Sequence, residues 1–257
     1  MGAAELEPGG AKLRRMRQQR TLRQVIGCAG VGLHSGARVA MTLRPAAEGT
    51  GIRFRRVDRP GTVPVVAHPF NASVVDGLIC LGDPGGTSVL GVDRLLAALA
   101  AAEIDNILIE LSGPELPAMD GTPRPLLLLL ECAGTVEQAR PPRMLEMLWP
   151  VEVASALGRI CLEPADGLQL AIEGPAAATD AIVTSWSKRE ARGAALDALG
   201  GLALIPAHIT GRYVERNGDS ALRCALAKAL IADHASYHIT TPWPFTMGKA
   251  DQLARAS

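Results

Sequence analysis

Apolar and polar positions alternate along this chain in short runs separated by Gly, Pro and Asp. Residues 36–54 read GARVAMTLRPAAEGTGIRF: alternation, a Pro-Ala break, a Gly turn, then alternation again. Residues 158–170, GRICLEPADGLQL, repeat that pattern. Successive side chains of a strand point to opposite faces, so each stretch predicts two half-buried strands. The Pro and Gly between them predict an antiparallel hairpin. Leu95, Leu96 and Leu99 then recur at helical spacing ahead of the apolar strand 107–111. Ala195, Leu196, Leu199 and Leu202 precede a strand-like run at 207–214 in the same way. Each half continues through a turn with Gly and Asp, Asp120-Gly121 or Gly218-Asp219, into a second helix over 125–132 or 221–232.

Strands, helix, strand and helix thus occur twice in the same order. Such a unit buries one sheet face against two helices, which predicts an α+β fold of two tandem two-layer sandwich domains. The Pro-rich link Arg140-Pro141-Pro142-Arg143 marks the boundary. The expected layout is a basic flexible N-terminal tail over 1–19 and a first domain over 20–140. A second, shortened domain follows over 143–236, and a C-terminal tail over 237–257. The second unit is the shorter because less chain separates its hairpin from its first helix.

Composition narrows the function classes. At 257 residues the chain is long enough for one or two domains, and 48% hydrophobic residues exclude wholesale disorder. The 26 basic residues balance the 26 acidic ones, which removes any global attraction to nucleic acid or an anionic membrane. Aromatics are only 3%, so the core is built from Leu, Val, Ile and Ala. The five scattered cysteines form no Cys-x-x-Cys pair, which argues for a reducing cytoplasm and against a disulfide framework or zinc ribbon. No apolar run is long enough to predict a transmembrane segment. The basic cluster Lys12, Arg14, Arg15, Arg17 and Arg20 has no apolar stretch behind it and is not a secretory signal.

Three stretches carry a resemblance. Arg20-Thr21-Leu22, the loop Gly30-Val31-Gly32-Leu33-His34-Ser35-Gly36 and Thr42-Leu43-Arg44-Pro45-Ala46 resemble the opening of the UDP-3-O-acyl-N-acetylglucosamine deacetylases, zinc amidases of lipid A synthesis. Val92-Asp93-Arg94-Leu95 and Ile104-Asp105-Asn106-Ile107 resemble the family's central helix and strand, and the run from Pro114 to Gly121 resembles its next loop. The second half matches weakly, through Leu196-Asp197-Ala198-Leu199-Gly200 and Ser220-Ala221-Leu222. The resemblance implies two sandwiches with their helical layers facing each other. It also implies a zinc between them, held by two histidines and one aspartate. A glutamate would act as general base, and a histidine of the second domain would assist.

Carried over position by position, that machinery is largely missing. The family's Glu-His pair falls on Asp93 and Arg94, and its His-x-x-x-Asp motif on Gly193 and Asp197. A lysine becomes Ala194, a further aspartate Gly201, and the assisting histidine Ser220. Of the metal positions Arg94, Gly193 and Asp197, only Asp197 keeps ligand chemistry. A catalytic zinc needs about three protein ligands and an open water position. A guanidinium cannot deprotonate to become a ligand. No cofactor is therefore expected, although the family uses zinc. Family members also carry an insertion in the second domain that helps hold the acyl chain. Only residues 182–193 lie between strand and helix here, too few for a subdomain.

The resulting expectation is a cytoplasmic deacetylase-like protein related to lipid A biosynthesis that lacks the hydrolytic step. It would bind a UDP-sugar-like small molecule or a protein partner where the domains meet. Two alternatives are an active zinc deacetylase with atypical ligands and a structural subunit that stabilises a partner protein. Ligand or interface candidates are Asp93, Arg94, Asp197 and His34, with an ion pair expected between Arg94 and Asp197 or Asp93. The remaining groups have bland assignments. His234 and His238 are a coincidental pair, and His68 and His208 have no spaced partners. Cys28 and Cys80 are small buried apolar groups. Gly82-Asp83-Pro84-Gly85-Gly86 is a turn between strands, since no Lys-Ser/Thr ending makes it a phosphate loop.

Overall fold

The structure, a computed structural model, describes residues 17–82, 86–173, 179–181 and 193–240. The first half contains β1 (Arg20–Leu22), β2 (Ile26–Val31), β3 (Arg38–Pro45), β4 (Ile52–Arg56), β5 (Val65–Val66), β6 (Ala72–Val75), β7 (Leu78–Gly82) and β8 (Ser88–Leu90). It continues with α1 (Asp93–Ala101), β9 (Ile107–Leu111), α2 (Arg124–Ala133) and β10 (Thr135–Glu137). The second half contains β11 (Met144–Met147), β12 (Val151–Ala154), β13 (Arg159–Glu163), β14 (Leu168–Glu173) and β15 (Thr179–Ala181). It closes with α3 (Gly193–Leu202), β16 (His208–Arg216), α4 (Ser220–Ala232) and β17 (Tyr237–Ile239).

The expected helices and strands form, but neither expected hairpin pairs with itself. In the first half β9 lies between β3 and β4, in a five-stranded sheet of order β2-β3-β9-β4-β5. Leu43 sits opposite Ile109 in the antiparallel ladder, while Phe54 sits opposite Ile109 in the parallel one. In the second half β16 separates β13 from β14 in the same way, with Leu162 antiparallel and Leu170 parallel to Tyr213. The reason is that alternation fixes which face a side chain occupies and says nothing of its ladder partner. In the first half the inserted β9 carries Ile107, Ile109 and Leu111 at 0% exposure, and the centre of a sheet buries such a strand best. The same departure in both halves supports the internal duplication.

The helical layers face each other. α1 packs across α3. The contact is close because Gly200 has no side chain: a Cβ there would lie 2.6 Å from the Asp93 carbonyl oxygen. α4 packs on β12 and β13 of its own half and also on β6 and β7 of the other. Leu95, Leu96 and Leu99 of α1, Leu199 of α3 and Leu226 and Leu230 of α4 join one continuous core.

Two boundaries differ from the expected layout. Arg17 and Gln19 already bond to the folded part, and Tyr237–Ile239 forms β17, paired with β11 through Leu145 and Ile239. The chain stays with the sheet past residue 236 because Tyr237 and Ile239 are apolar and alternate. β7 and β8 flank the Gly82–Gly86 turn as expected, although residues 83–85 lie outside the described residues. So do Lys12, Arg14 and Arg15 and the short segment 182–192. Among the described residues no helix is long and apolar enough to cross a membrane.

Candidate functional site at the junction of the two halves

Asp93 opens α1, and both its position and its chemistry are unusual. Its Oδ1 atom is buried without a hydrogen-bond partner. Burial pushes its pKa up, with the Asp197 charge adding to the rise and Arg94 opposing it. Asp197, on the exposed side of α3, is also raised, by partial desolvation and by Glu215, against the pull of Arg223 and Arg94. Both aspartates thus feel the Arg94 cation.

The expected ion pair is absent. No contact within 4.0 Å joins Arg94 to Asp93 or Asp197 among the described residues, and its influence on both is only Coulombic at longer range. Arg94 instead lines a narrow cleft of its own half with Leu78, Glu115, Thr122 and Leu126, about 10 Å³ in volume. An arginine on the first turn of a short helix can lay its stem over that loop more easily than across the helix interface.

A different arginine fills the junction. Arg223 of α4 donates through Nη2 at 2.6 Å and Nε at 3.1 Å to the two carboxylate oxygens of Glu215. The Tyr213 hydroxyl donates to the same carboxylate. Burial alone would depress Arg223, but the Glu215 bonds outweigh it and raise its pKa. The Arg223 stem lies against Gly201, where a Cβ would come within 2.8 Å of Arg223 Cβ. A bulkier residue at 201 would therefore displace the Arg223 stem and with it the guanidinium on Glu215. Ser220 is used structurally: its Oγ donates to the Gly77 carbonyl at 2.7 Å, tying α4 to the β6–β7 turn of the other half.

His34 belongs to a separate device. Its backbone N–H and that of Ser35 donate to Glu115 at 2.9 Å each, and its ring is exposed. Gly32 leaves space for that carboxylate. Burial opposes ionisation of Glu115, but the N–H donors outweigh it and hold its pKa below the usual value. Glu115→Ala should cost about 2 kcal/mol, because it strips two charge-assisted bonds from the His34 and Ser35 N–H groups. A group with a lowered folded pKa contributes above its unfolded value and loses that contribution as pH falls. The gap between wild type and variant in urea denaturation should therefore close as pH drops below about 4.3.

A cavity of about 400 Å³ lies elsewhere on the same interface. It opens where α1 and α3 end and the 140–143 link passes between the halves. Ile52, Ile104, Leu168, Leu199, Leu202 and Ile209 form apolar wall. At its rim His208 Nε2 lies 2.6 Å from Asp105 Oδ1 and 2.7 Å from Arg17 Nη1, and Arg17 Nη2 donates to Asp105 Oδ2 at 3.0 Å. His208, without a spaced partner in sequence, thus finds one 103 positions away in the opposite half. Nothing local signals it. His234 meets Tyr237 through Nδ1 at 2.8 Å, while His238 lies in β17, so that pair brings no shared site.

Comparison with known proteins bears on the junction directly. A family model described as UDP-3-O-acyl N-acetylglycosamine deacetylase matches residues 19–191. The chain belongs to this family. Proteins named UDP-3-O-acyl-N-acetylglucosamine deacetylase from Xanthomonas axonopodis pv. citri and Neisseria gonorrhoeae are 44% identical over 157 residues and 41% over 156. Each alignment covers 60% of this chain and 51% of the relative, so the chain spans about half the length of those proteins.

The zinc implied by the deacetylase family does not suit the described residues. The family positions present Arg94, Gly193 and Ser220, and among the described residues no group of three or more His, Cys, Asp or Glu is placed to hold a metal. Asp197 and Asp93, whose Oδ1 is buried without a partner, are the carboxylates left at those positions, and two fall short of the three ligands a catalytic zinc takes.

Proposed function

We propose that this member of the deacetylase family is a binding protein of lipid A biosynthesis in the cytoplasm that has given up amide hydrolysis. The observation that carries this reading is the loss of ligand chemistry at the helix junction, where Arg94 stands on α1 and Arg223 packs over Gly201, both acting on Asp197 by Coulombic attraction. Fixed positive charge there opposes a divalent ion. The retained role would be recognition of a UDP-sugar-like molecule or a protein partner at the meeting of the halves. The 44% identity to proteins named as deacetylases favours a second reading, an active zinc enzyme with atypical ligands.

Two measurements separate them. Purified chain should hold well under one zinc per molecule and leave UDP-3-O-acyl-N-acetylglucosamine uncleaved whether or not zinc is added. One zinc per chain together with turnover would establish the second reading. UDP-sugars should raise the melting temperature in proportion to ligand excess over Kd. A flat response would leave the protein-partner form of the proposal.

A further inference from the structure

We propose that the cavity between the ends of α1 and α3 binds a neutral, largely hydrocarbon molecule of naphthalene size or larger. The site is independent of the helix junction: Asp93 and Ala100, one at the junction and one in the cavity wall, are about 10 Å apart along α1. Ile52 and Ile104 come to it from the first half, Leu168 and Leu202 from the second, and Pro141 and Pro142 from the link. Ile52, Leu168, Ala203 and Ala207 pack on the core but stay only half-buried, so apolar surface is left facing the space. At about 400 Å³ the cavity falls in the range of small-molecule sites. It is more than twice the ~150 Å³ of an apolar cavity that takes up benzene.

The polar groups around the cavity are committed to one another. Glu103 and Asp105 pair with Arg17 and Arg20, His208 bonds to Asp105, and Arg140 pairs with Glu48. Arg143 donates to the Pro206 carbonyl at 3.3 Å and is engaged elsewhere as well. Asn106 bonds to Gly51, Gln19 and Gln138, and Gln19 also to Gly49 and Pro141. The wall holds two carboxylates, Glu103 and Asp105, and two guanidiniums, Arg140 and Arg143, so these fixed charges cancel. An ion entering this space would lose hydration without meeting an uncommitted counter-charge, a penalty that a neutral molecule avoids. An apolar body instead gains by releasing water from the half-buried walls.

The test uses the full chain with N-phenyl-naphthylamine, a neutral dye that fluoresces in apolar surroundings, and with anilinonaphthalene sulfonate, which adds an anion to the same rings. The neutral dye should bind saturably, one per chain, and raise the melting midpoint. Its apparent Kd should be at least about tenfold below that of the sulfonate. Ala203→Phe and Ala207→Phe, each filling the cavity from a different position, should abolish saturable binding while circular dichroism stays native. Trp149→Ala removes an exposed apolar side chain outside the cavity wall and should leave dye binding unchanged. No saturable binding, a sulfonate Kd equal or lower, loss of binding in Trp149→Ala, or unchanged binding in a folded cavity-filled variant would overturn the proposal.

Discussion

Arg94→His combined with Gly193→His should turn the chain into one that retains a zinc ion through dialysis. Gly193 is exposed, and a Cβ built there meets no atom of the described residues within 4 Å, so an imidazole has room among them. Residues 193 and 197 are one helical turn apart and share a face of α3, which pairs the new histidine with Asp197. Position 94 contributes from the opposing helix, one residue along from the point where Gly200 meets the Asp93 backbone. The double substitution also removes the nearby cation. If binding of about 10–16 kcal/mol in a four-ligand structural site is shared among its ligands, two added histidines contribute roughly 5–8 kcal/mol. Zinc affinity should therefore rise by at least about a thousandfold. Competition against a colorimetric chelator measures it, and Asp197→Ala on the double-variant background should reverse the gain. An unchanged affinity would mean that the helix junction does not have the family's geometry.

Glu215→Ala should produce the largest loss of stability, about 3–5 kcal/mol, by leaving a buried guanidinium unpaired. Glu215 is 3% exposed and accepts two bonds from Arg223 and one from Tyr213, itself 1% exposed. Arg223 in turn packs on Gly201, so the loss should loosen α4 from α3 as well as from its own sheet. Replacing both partners by apolar residues of similar volume, Glu215→Leu with Arg223→Met, should recover much of the loss, because the main cost lies in the orphaned charge. Urea denaturation reads both values. A loss below about 1 kcal/mol for Glu215→Ala would show that the pair behaves like a surface ion pair, solvated enough to dispense with its partner.

The sequence by itself determined the type and order of the repeated elements, the strands of the apparent hairpin, the helix, the next strand and the second helix of each half. The leucines of α1 at helical spacing, the alternation in β3 and β13 and the Pro-rich link depend only on local periodicity and turn chemistry, and these survived folding almost position for position. The identities at 93, 94, 193, 197, 201 and 220 were equally legible, since the type of group available is a property of the chain alone. Tertiary structure decided everything that depends on partners distant in sequence. It inserted β9 and β16 into what looked like hairpins, because alternation sets the face of a side chain and leaves the ladder partner open. It turned Arg94 toward its own loop and laid Arg223 across the space left at Gly201 onto Glu215. It joined Asp105 to His208 beside a cavity that neither half possesses alone. Each of these is set by packing and long-range Coulomb balance between the halves, and no local pattern of residues encodes either.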